Sequence, residues 1–436
     1  MFSRSHGEQK IAARSIHDRV AGMSDHVVSV EDKAVLKKQL STALRLQKFR
    51  AVLLVAPLLL FVLITFLVPI ASMLTRSFYS PDFAREMPAT AATISSWSGT
   101  DLPDENVYAA LVQDLTSAQA RKTIGSIANA VNMEVSGARS LIMKLGRNLD
   151  DIDPPYKQAL DKLDPKWSNS ETWQALQNLT PEYTGRFYLT AVDLLSDGHA
   201  EISLQPEDRR IYAPLFLRTF AIGAIVTLIC LLLGFPVAYW LSALPLRYAN
   251  VLMIFVLLPF WTSLLVRTTA WIVLLQNQGV INSLLVWAGA VGDGNRLPLI
   301  FNSVGTVIAM THILLPFMIL PLYSVMKTIP PSYLRAARSL GANQLTAFVR
   351  VYLPQTKPGV AAGCLLVFIL SLGYYITPAL VGGESGTLIS NIIAHHVQKS
   401  LNWGLAAALS ALLLLSVLIL YWAYNRLAKV DGLKLG

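Results

Sequence analysis

Charged residues are scarce in this chain. Asp, Glu, Lys and Arg make up 14% of its 436 residues, compared with about 25% in an average soluble domain. Apolar residues account for 53%, and the mean hydropathy is +0.48. This composition is untypical of a soluble globular protein and predicts a chain that crosses a lipid bilayer several times.

Several chemical signatures are also missing. The only two cysteines, Cys230 and Cys364, lie inside apolar runs, so neither a disulfide framework nor a thiolate metal site is expected. His395 and His396 are adjacent and on a helix would point about 100° apart, which does not suit chelation. The chain has no GxxxxGK[ST] run to bind nucleotide phosphates, and no motif assembles a Ser/His/Asp or Cys/His set. We therefore assign no catalytic residue, metal site or bound cofactor, and any energy must come from another protein.

Acidic and basic residues occupy different parts of the chain. Residues 80–210 hold 19 of the 27 Asp and Glu against 12 Lys and Arg, whereas the segment from Lys327 to Lys357 holds five Lys and Arg and no acid. Short loops rich in Lys and Arg stay on the cytoplasmic side of a membrane. Membrane topology therefore accounts for the net charge of +9, and binding to nucleic acid is not expected.

Six apolar segments are long enough to cross the hydrocarbon core, which takes about 20 residues. Alternating crossings from a cytoplasmic N-terminus place every basic loop inside and leave the near-neutral loops at 277–303 and 381–402 outside. The first apolar segment follows ten Lys and Arg and is too long for a cleaved signal peptide, so we expect it to remain as an anchor. The predicted spans are residues 51–74, 213–242, 250–275, 304–326, 359–380 and 403–424.

The segment between the first two spans has the size of an independent domain and is predicted to be periplasmic. Helical periodicity recurs in it, as in DENVYAALVQDLTSAQ, whereas GRFYLTAVDLL looks extended, so a mainly helical domain with a little strand is predicted. Residues 31–50 are either a basic helix lying on anionic headgroups or a disordered tail. The predicted parts are a cytoplasmic extension (1–50), a first transmembrane helix (51–78), the inserted domain (79–212), a core with five transmembrane helices (213–426) and a cytoplasmic tail (427–436).

The stretch PPSYLRAARSLGANQLTAFVRVYLP, residues 330–354, predicts a small basic helix-turn-helix between two spans. Its two leading prolines suit a helix start, and Gly341 can take the left-handed conformation that ends the first helix. Leu353 and Pro354 are expected to close the second helix. A polar hinge with small residues on the membrane surface is suited to receiving motion from a soluble motor.

Residues 213–424 resemble the membrane subunits of bacterial type I ABC importers, in particular the spermidine/putrescine permease family. That family carries a loop of the form E-A-A, three residues, G, nine residues, I-x-L-P, which this chain follows with Arg for the Glu and Val for the Ile. The stretches LLPFWTSLLVRTTAWIVLLQNQGVIN, LLPFMILPLYSVM and FILSLGYYITPALVGG extend the likeness. The resemblance implies that a cytoplasmic loop, residues 329–354, couples the chain to ATPase subunits. The coupling residues that it implies are Arg335, Ala336, Ala337, Gly341, Ala342, Val351, Leu353 and Pro354.

The resemblance implies an all-α permease fold with six transmembrane helices, to which the inserted domain is added. It implies a second permease subunit, favoured as a different chain, two cytoplasmic ATPases that hold the ATP and Mg²⁺, and a periplasmic solute-binding protein. The implied activity is import of a small solute across the bacterial inner membrane. Polyamines such as putrescine or spermidine are the favoured solutes. Opines, amino-acid derivatives and chelated metal are alternatives within this class. A membrane-anchored solute receptor or sensor and a gated passive channel are alternatives from other classes.

A few polar and aromatic residues in the apolar segments are candidates for the solute pathway. An ionised Arg267 deep in a span is expected to face the bundle interior or a cavity, and pairing with helix carbonyls is the alternative. His312 is either a pH-sensitive switch or a hydrogen-bonded packing residue. Polyamine permeases commonly carry an acid after the glycine that matches Gly373, where this chain has two tyrosines whose faces could hold an ammonium group. The pathway candidates, for which helix packing is the competing role, are Trp261, Thr262, Ser263, Arg267, Tyr374, Tyr375 and Thr377.

Overall fold

The computed structural model describes residues 47–197 and 201–431. The surface helix or tail predicted before residue 47 and the end of the cytoplasmic tail lie outside this range. The chain contains two compact units, Met1–Ser72 and Met73–Gly436.

Among the described residues, six helices are long and apolar enough to cross a membrane. The first is α1 (Gln47–Thr75), which contains a π-helical turn at Leu63–Leu67. These helices confirm the predicted all-α class and the number of spans. The remaining five are Tyr212–Ala243, Leu264–Trp287, Ser303–Thr328, Gln344–Gly373 and Trp403–Arg426.

The insertion between the first two spans consists of short helices followed by one antiparallel pair of strands, in which Leu194 pairs with Leu204. Its elements are α2 (Asp82–Glu86), α3 (Pro88–Ile94), α4 (Glu105–Arg121), α5 (Ile124–Glu134), α6 (Ala138–Arg147), α7 (Tyr156–Leu163), α8 (Ser170–Leu179), α9 (Arg186–Ala191), β1 (Leu194–Asp197) and β2 (Glu201–Leu204).

Among its described residues, the second half of the chain contains helices and no strand, with short helices between the long ones. The elements are α10 (Tyr212–Ala243), α11 (Leu246–Leu257), α12 (Leu264–Leu275), α13 (Val280–Trp287), α14 (Ser303–Thr328), α15 (Pro331–Ser339), α16 (Gln344–Gly373), α17 (Ile376–Val381), α18 (Ile389–Gln398) and α19 (Trp403–Asp431).

The helices of the insertion share one apolar core. Trp167 and Trp173 are fully buried, and Tyr108 packs on Trp173 with ring centroids 4.3 Å apart. The buried Asp114 carboxylate accepts a hydrogen bond from the Thr90 N–H at 2.7 Å and so caps α3. These contacts agree with the mainly helical character that the sequence predicts for the insertion.

The extended conformation predicted for GRFYLTAVDLL is wrong for its first half. Residues Arg186–Ala191 form α9, and the strand begins only at Leu194. Phe187 and Ala191 are four residues apart, so a helix puts both on one face. Both side chains are buried there in a cluster with residues of α10 and α19, and this burial outweighs the local preference for a strand.

Arg186 and Phe187 are adjacent in α9 and contact different parts of the molecule. Arg186 Nη1 lies 3.1 Å from Glu134 Oε1 of α5 and donates a hydrogen bond to the Asn178 carbonyl of α8 at 2.8 Å. Phe187 packs on α19, where a Cβ atom added to Gly404 would lie 2.3 Å from the Phe187 ring. The helix therefore joins the core of the insertion to the last span.

The centre of the membrane-spanning part is formed by α10, α14 and α16. Met318 of α14 is fully buried where the three helices meet. Glycines allow the close approach, because a Cβ atom at Gly234 of α10 would lie 3.1 Å from Met318 Cγ and one at Gly363 of α16 would lie 2.7 Å from Met318 Sδ. Small residues at such contacts are typical of membrane helix packing.

Two predicted spans have different boundaries in the structure. Residues 250–275 do not form one helix, because the chain makes a tight 3₁₀ turn at Leu258–Trp261 and Pro259 removes a backbone donor there. The third membrane-length segment is Leu264–Trp287. It includes α13, which the sequence placed in an outer loop. The span predicted at 359–380 begins earlier, at Gln344, and ends at Gly373. The other predicted outer loop contains α18.

Candidate functional site

Two regions hold the residues that the sequence singles out. The docking segment is residues 329–354, which connect α14 to α16. The interrupted-helix site lies where α12, α14 and the break between α16 and α17 meet, and it consists of Arg267, Thr268, Trp271, His312, Tyr374 and Thr377.

The first helix of the docking segment, α15, lies exposed. Pro330 has φ −65° and ψ 131°, which suits the residue before a helix, and Pro331 is the first residue of α15. No residue of α15 is buried. Tyr333, Leu340 and Leu345 are 49%, 89% and 72% exposed. Exposed apolar side chains grouped around a short basic helix are typical of a surface that another protein covers.

The turn after α15 confirms the conformation predicted for Gly341, whose φ is +91°. The Ala342 N–H donates to the Ala337 carbonyl at 3.1 Å, and the Asn343 side chain accepts from the Thr346 N–H at 2.7 Å. Nothing lies within 4 Å of a Cβ atom added to Gly341, so the backbone conformation and not crowding favours glycine there.

The second helix of the docking segment is not closed by Leu353 and Pro354, contrary to the prediction. It continues through a π-helical turn at Phe348–Tyr352 into the membrane-length part of α16. A proline removes one backbone donor and crowds the carbonyl four residues earlier, and a wider turn directly before it accommodates both effects. The docking segment is therefore continuous with a span.

The predicted coupling residues lie mainly on the surface. Ala337, Ala342 and Val351 are half-buried, and the others are exposed: Arg335, Ala336, Gly341, Leu353 and Pro354.

A cleft of about 440 Å³ opens between α15, α16 and the end of α10. Leu334 and Leu345 line it on two sides, and the ring of Tyr239 closes it against α10. Tyr239 packs edge-on against Phe348 and Tyr352, with ring centroids 5.5 Å and 5.2 Å apart. The docking segment therefore contacts α10 and is continuous with α16.

The break between α16 and α17 is built into the hydrogen bonding. Tyr374 has the extended angles φ −76° and ψ 125°, and its carbonyl accepts from the Ser390 hydroxyl at 2.6 Å. The Tyr375 carbonyl accepts from Asn391 Nδ2 at 2.7 Å. Helix breaks at membrane depth require such partners for the released backbone groups.

Thr377 lies against α12, the helix that carries Arg267. The Thr377 hydroxyl is buried and lies 3.3 Å from the Thr268 hydroxyl of α12. Arg267 is the residue before Thr268 and is half-buried. Two nitrogen atoms of Arg267, Nε and Nη1, are buried and make no hydrogen bond. The interrupted-helix site therefore contains a guanidinium group with unmet hydrogen-bonding capacity.

The two histidine regions differ in their contacts. His312 Nδ1 accepts a hydrogen bond from Trp271 Nε1 at 3.2 Å, which favours the packing role over the switch. His396 Nε2 lies 3.1 Å from the Tyr212 hydroxyl and its Nδ1 lies 2.9 Å from the Ser400 hydroxyl, whereas His395 is exposed. Burial, and secondarily the neighbouring His395, lowers the pKa of His396 to about 4.

Other predicted pathway residues lie outside this buried cluster. Trp261 is 73% exposed, and Thr262 and Ser263 are exposed beside it in the turn between α11 and α12. The Thr262 hydroxyl donates to the Pro259 carbonyl at 2.9 Å, within the same turn. Tyr375 is 39% exposed.

Sequence reasoning missed four residues of this region: Thr268, Trp271, Ser390 and Asn391. Trp271 lies one helical turn after Arg267, so the helical period could have placed it on the same face. Ser390 and Asn391 fall in a segment predicted as an outer loop, and no local pattern connects them to Tyr374 and Tyr375.

The family described as "Binding-protein-dependent transport system inner membrane component" matches residues 231–429. The spermidine/putrescine transport system permease protein PotB of Escherichia coli (strain K12) is 36% identical over 220 residues, which are 50% of this chain and 79% of the relative. The inner membrane ABC transporter permease protein YdcU of the same organism is 35% identical over 237 residues, 50% of this chain and 73% of the relative.

Among solved structures, a chain of a bacterial ABC transporter involved in the import of the acidic polysaccharide alginate is similar with a TM-score of 0.39 and 17% identity. The match covers 49% of this chain and 79% of that chain.

Proposed function

This chain belongs to the inner membrane components of binding-protein-dependent transport systems, as an ABC importer permease, and we propose that it forms the solute pathway together with a second permease subunit. Such a chain is a multi-pass inner membrane protein and a transporter component, not an enzyme. Two separate cytoplasmic ATPases supply the energy, and they hold the ATP and Mg²⁺. A different chain as the second permease, giving a heterodimer, is favoured over a second copy.

The observation that carries the proposal is the exposure of α15 at the junction between two membrane-length helices. An unburied helix with exposed Tyr333 and Leu340 beside a cleft suits docking to an ATPase surface. Arg335 replaces the acid of the usual pattern, so the polar contact with the ATPase differs here. Docking through the small residues Ala336 and Ala337 is compatible with this change.

The charge distribution supports an orientation with both termini and the docking segment in the cytoplasm. The acidic insertion, residues 79–212, then lies in the periplasm. Its position makes it a surface for the solute-binding protein or for the second permease subunit.

Transport requires two states of the permease. Closure of the ATPases on ATP moves the docking segment, and the ring contacts of Tyr239 with Phe348 and Tyr352 carry the movement to α10 and α16. Because α16 is interrupted at Tyr374, its tilt changes the geometry at the interrupted-helix site and switches access from one side to the other. This is a rigid-body transition of the hinge type.

The solute is a small molecule delivered by the binding protein. Relatives named for spermidine and putrescine make polyamines the first solutes to test, and opines, amino-acid derivatives and chelated metal follow. The rings of Tyr374 and Tyr375 can hold an ammonium group.

The test is Gly341→Asp in the importer reconstituted in lipid vesicles with its companion subunits. A side chain is strained at φ +91°, so the turn shifts and the docking surface no longer fits. We expect binding-protein-stimulated ATP hydrolysis to fall about ten-fold, as for a loss of about 1.4 kcal/mol in coupling, while the chain still inserts.

Gly289→Asp is the matched control, because Gly289 also has a positive φ, +70°, with nothing within 4 Å of an added Cβ atom, and lies outside the docking segment. Unchanged stimulation in Gly341→Asp would refute the coupling role. A sensor would bind solute through the isolated insertion and show no ATP-driven uptake, and a passive channel would show flux without ATP.

A further inference from the structure

The docking segment and the helix ends beside it carry positive charge and no negative charge. The segment from Lys327 to Lys357 holds five Lys and Arg and no Asp or Glu. The end of α10 and the start of α11, residues 239–250, add Arg247 and no acid. The surface that these elements form is therefore positively charged.

Three arginines of the docking segment have no partner among the described residues. Arg335, Arg338 and Arg350 are exposed, and none of their guanidinium groups forms an ion pair, a hydrogen bond or a ring contact there. Lys327 differs, because its Nζ atom donates to two carbonyls at the end of α10 at 3.0 Å and 3.2 Å. The three arginines are therefore available to another molecule.

The acidic residues of the permease core do not compensate these arginines. Between residues 212 and 426 the sequence contains two, Asp293 and Glu384. Asp293 pairs with Arg296 at 2.8 Å. The residue after Glu384 accepts a hydrogen bond from Ser303, which starts α14. The docking segment follows the other end of that helix, about 39 Å away at a rise of about 1.5 Å per residue.

The acids in the rest of the chain are no better placed. The insertion leads into the first turn of α10 at Tyr212, whereas the docking segment contacts Tyr239, about 40 Å further along that helix. Residues 1–46 hold eight Lys and Arg against five Asp and Glu, so their net charge does not favour this surface. The neutralising carboxylates are therefore expected on a different molecule.

The positively charged surface also has a recess that a side chain can enter. The cleft of about 440 Å³ is lined by Arg338 together with the apolar Leu334, Leu345 and Phe348. Leu334 and Arg338 are four residues apart and so lie on one face of α15. The cleft therefore suits an apolar side chain with a carboxylate beside it. Anionic lipid headgroups would supply the charge, but they do not need such a recess.

We propose that the ATPase subunit that docks on this segment presents an acidic surface, whose carboxylates pair with Arg335 and Arg338 and flank an apolar side chain in the cleft. This inference rests on the proposed importer function and specifies the chemistry of its ATPase partner. Complementary charges at an interface raise the association rate and suppress wrong partners. An ATPase with a basic surface at this position would be repelled, so the pairing is selective.

The experiment measures binding of the purified, fluorescently labelled ATPase subunit to the complete permease pair in phosphatidylcholine nanodiscs. The dissociation constant is determined at about 0.1 M and about 1 M NaCl, where the Debye lengths are about 10 Å and about 3 Å. The parent is compared with Arg335→Glu/Arg338→Glu and Arg335→Gln/Arg338→Gln. The matched control is Arg139→Glu/Arg147→Glu, because both arginines are exposed on α6 of the insertion. Co-purification of the two permease subunits checks assembly of each variant.

We expect Arg335→Glu/Arg338→Glu to bind the ATPase at least about ten-fold more weakly than the parent at the lower salt concentration, because like charges then face each other. The difference should shrink at the higher concentration, where these charges are screened. Arg335→Gln/Arg338→Gln should lose part of the salt dependence of the parent, and the control should keep all of it. Equal dissociation constants for the parent and Arg335→Glu/Arg338→Glu at low salt would overturn the inference.

Leu340→Ser separates the inference from the proposed function. Leu340 is uncharged and 89% exposed next to α15, so its replacement should weaken ATPase binding and leave the salt dependence unchanged. If Leu340→Ser weakens binding but salt and the arginine variants have no effect, the docking function stands and the inference fails. An effect of the arginine variants that requires phosphatidylglycerol would assign the arginines to headgroups and overturn the inference. A parent that binds no ATPase at either salt concentration would overturn the proposed function as well.

Discussion

The Asp193 carboxylate accepts a hydrogen bond from the Ala213 N–H at 2.7 Å and, through its other oxygen, from the Ile211 and Tyr212 N–H groups at 3.1 Å and 3.0 Å. Asp193 belongs to the end of the insertion, and the three donors start α10, the second span. A single buried side chain therefore caps a membrane-spanning helix from outside its own sequence neighbourhood.

Replacement of Asp193 is expected to destabilise the junction between the insertion and α10. Asp193→Ala leaves three N–H groups without an acceptor, and we expect a loss of about 2–3 kcal/mol in the free energy of unfolding. Asp193→Asn keeps one carbonyl oxygen and tolerates the φ of +60° found here, so it should lose less. The measurement is the temperature at which half of the purified protein stops being monodisperse. Asp153→Ala, at an exposed loop position, should match the parent, and an equally stable Asp193→Ala would contradict the capping role.

The contact between Gly363 and Met318 predicts a second effect. A Cβ atom at position 363 would lie 2.7 Å from Met318 Sδ and 3.3 Å from the Met318 carbonyl oxygen, so Gly363→Ala requires the Met318 side chain to move and crowds the backbone of α14. We expect a destabilisation of about 1–3 kcal/mol, which is typical of overpacking, and weaker binding-protein-stimulated ATP hydrolysis. Heat stability and hydrolysis are measured on the same preparation.

The control for Gly363→Ala is Gly125→Ala. Gly125 lies in α5 with nothing within 4 Å of an added Cβ atom, so alanine there should stabilise the helix by about 0.5–1 kcal/mol. If Gly363→Ala shifted stability in the same direction, the close approach of α14 and α16 would not matter energetically.

The pH dependence of stability should reflect His396. Its pKa is about 4 in the folded protein, compared with about 6.5 in an unfolded chain. Because the folded state binds fewer protons in this range, stability is fully present above pH 6.5 and is lost as the pH falls toward 4. The groups that face His396 are the Tyr212 phenol, the Ser400 hydroxyl and the His395 ring.

We expect the unfolding temperature to drop between pH 7 and pH 5, and to drop less in His396→Gln, which cannot take up the proton. His395→Gln is the comparison, because His395 is exposed on the same helix. Identical pH profiles for the parent and His396→Gln would show that other groups control the acid response.

Signals confined to a short stretch allowed the sequence to predict much of this architecture. Proline and glycine placed the start of α15 and the turn at Gly341, and apolar runs of sufficient length located four of the six spans closely. The third span was misplaced because hydropathy does not distinguish a continuous helix from one broken at Pro259. Hydropathy also gave no indication of α18, whose side chains donate hydrogen bonds to the carbonyls of Tyr374 and Tyr375.

At the interrupted-helix site, local sequence signals predict some of the residues but not their neighbours. Arg267 was noticed because a charge is rare in an apolar run, and Thr377 because it is a polar residue in an apolar segment. Their neighbours Trp271 and Thr268 are ordinary in composition, and only the packing of α12 against α17 reveals the Thr268–Thr377 contact. Side chains that act through tertiary pairing leave no trace in local spacing.

Arg186 and Phe187 make contacts with two different parts of the molecule, and these contacts link the motion of the two parts. Arg186 is paired with the core of the insertion, and Phe187 packs against the backbone of Gly404. The short helix α9 therefore connects the insertion to the last span. We expect a rotation of the last span to move the insertion as well, so a protein bound to the insertion would respond to the angle of that span.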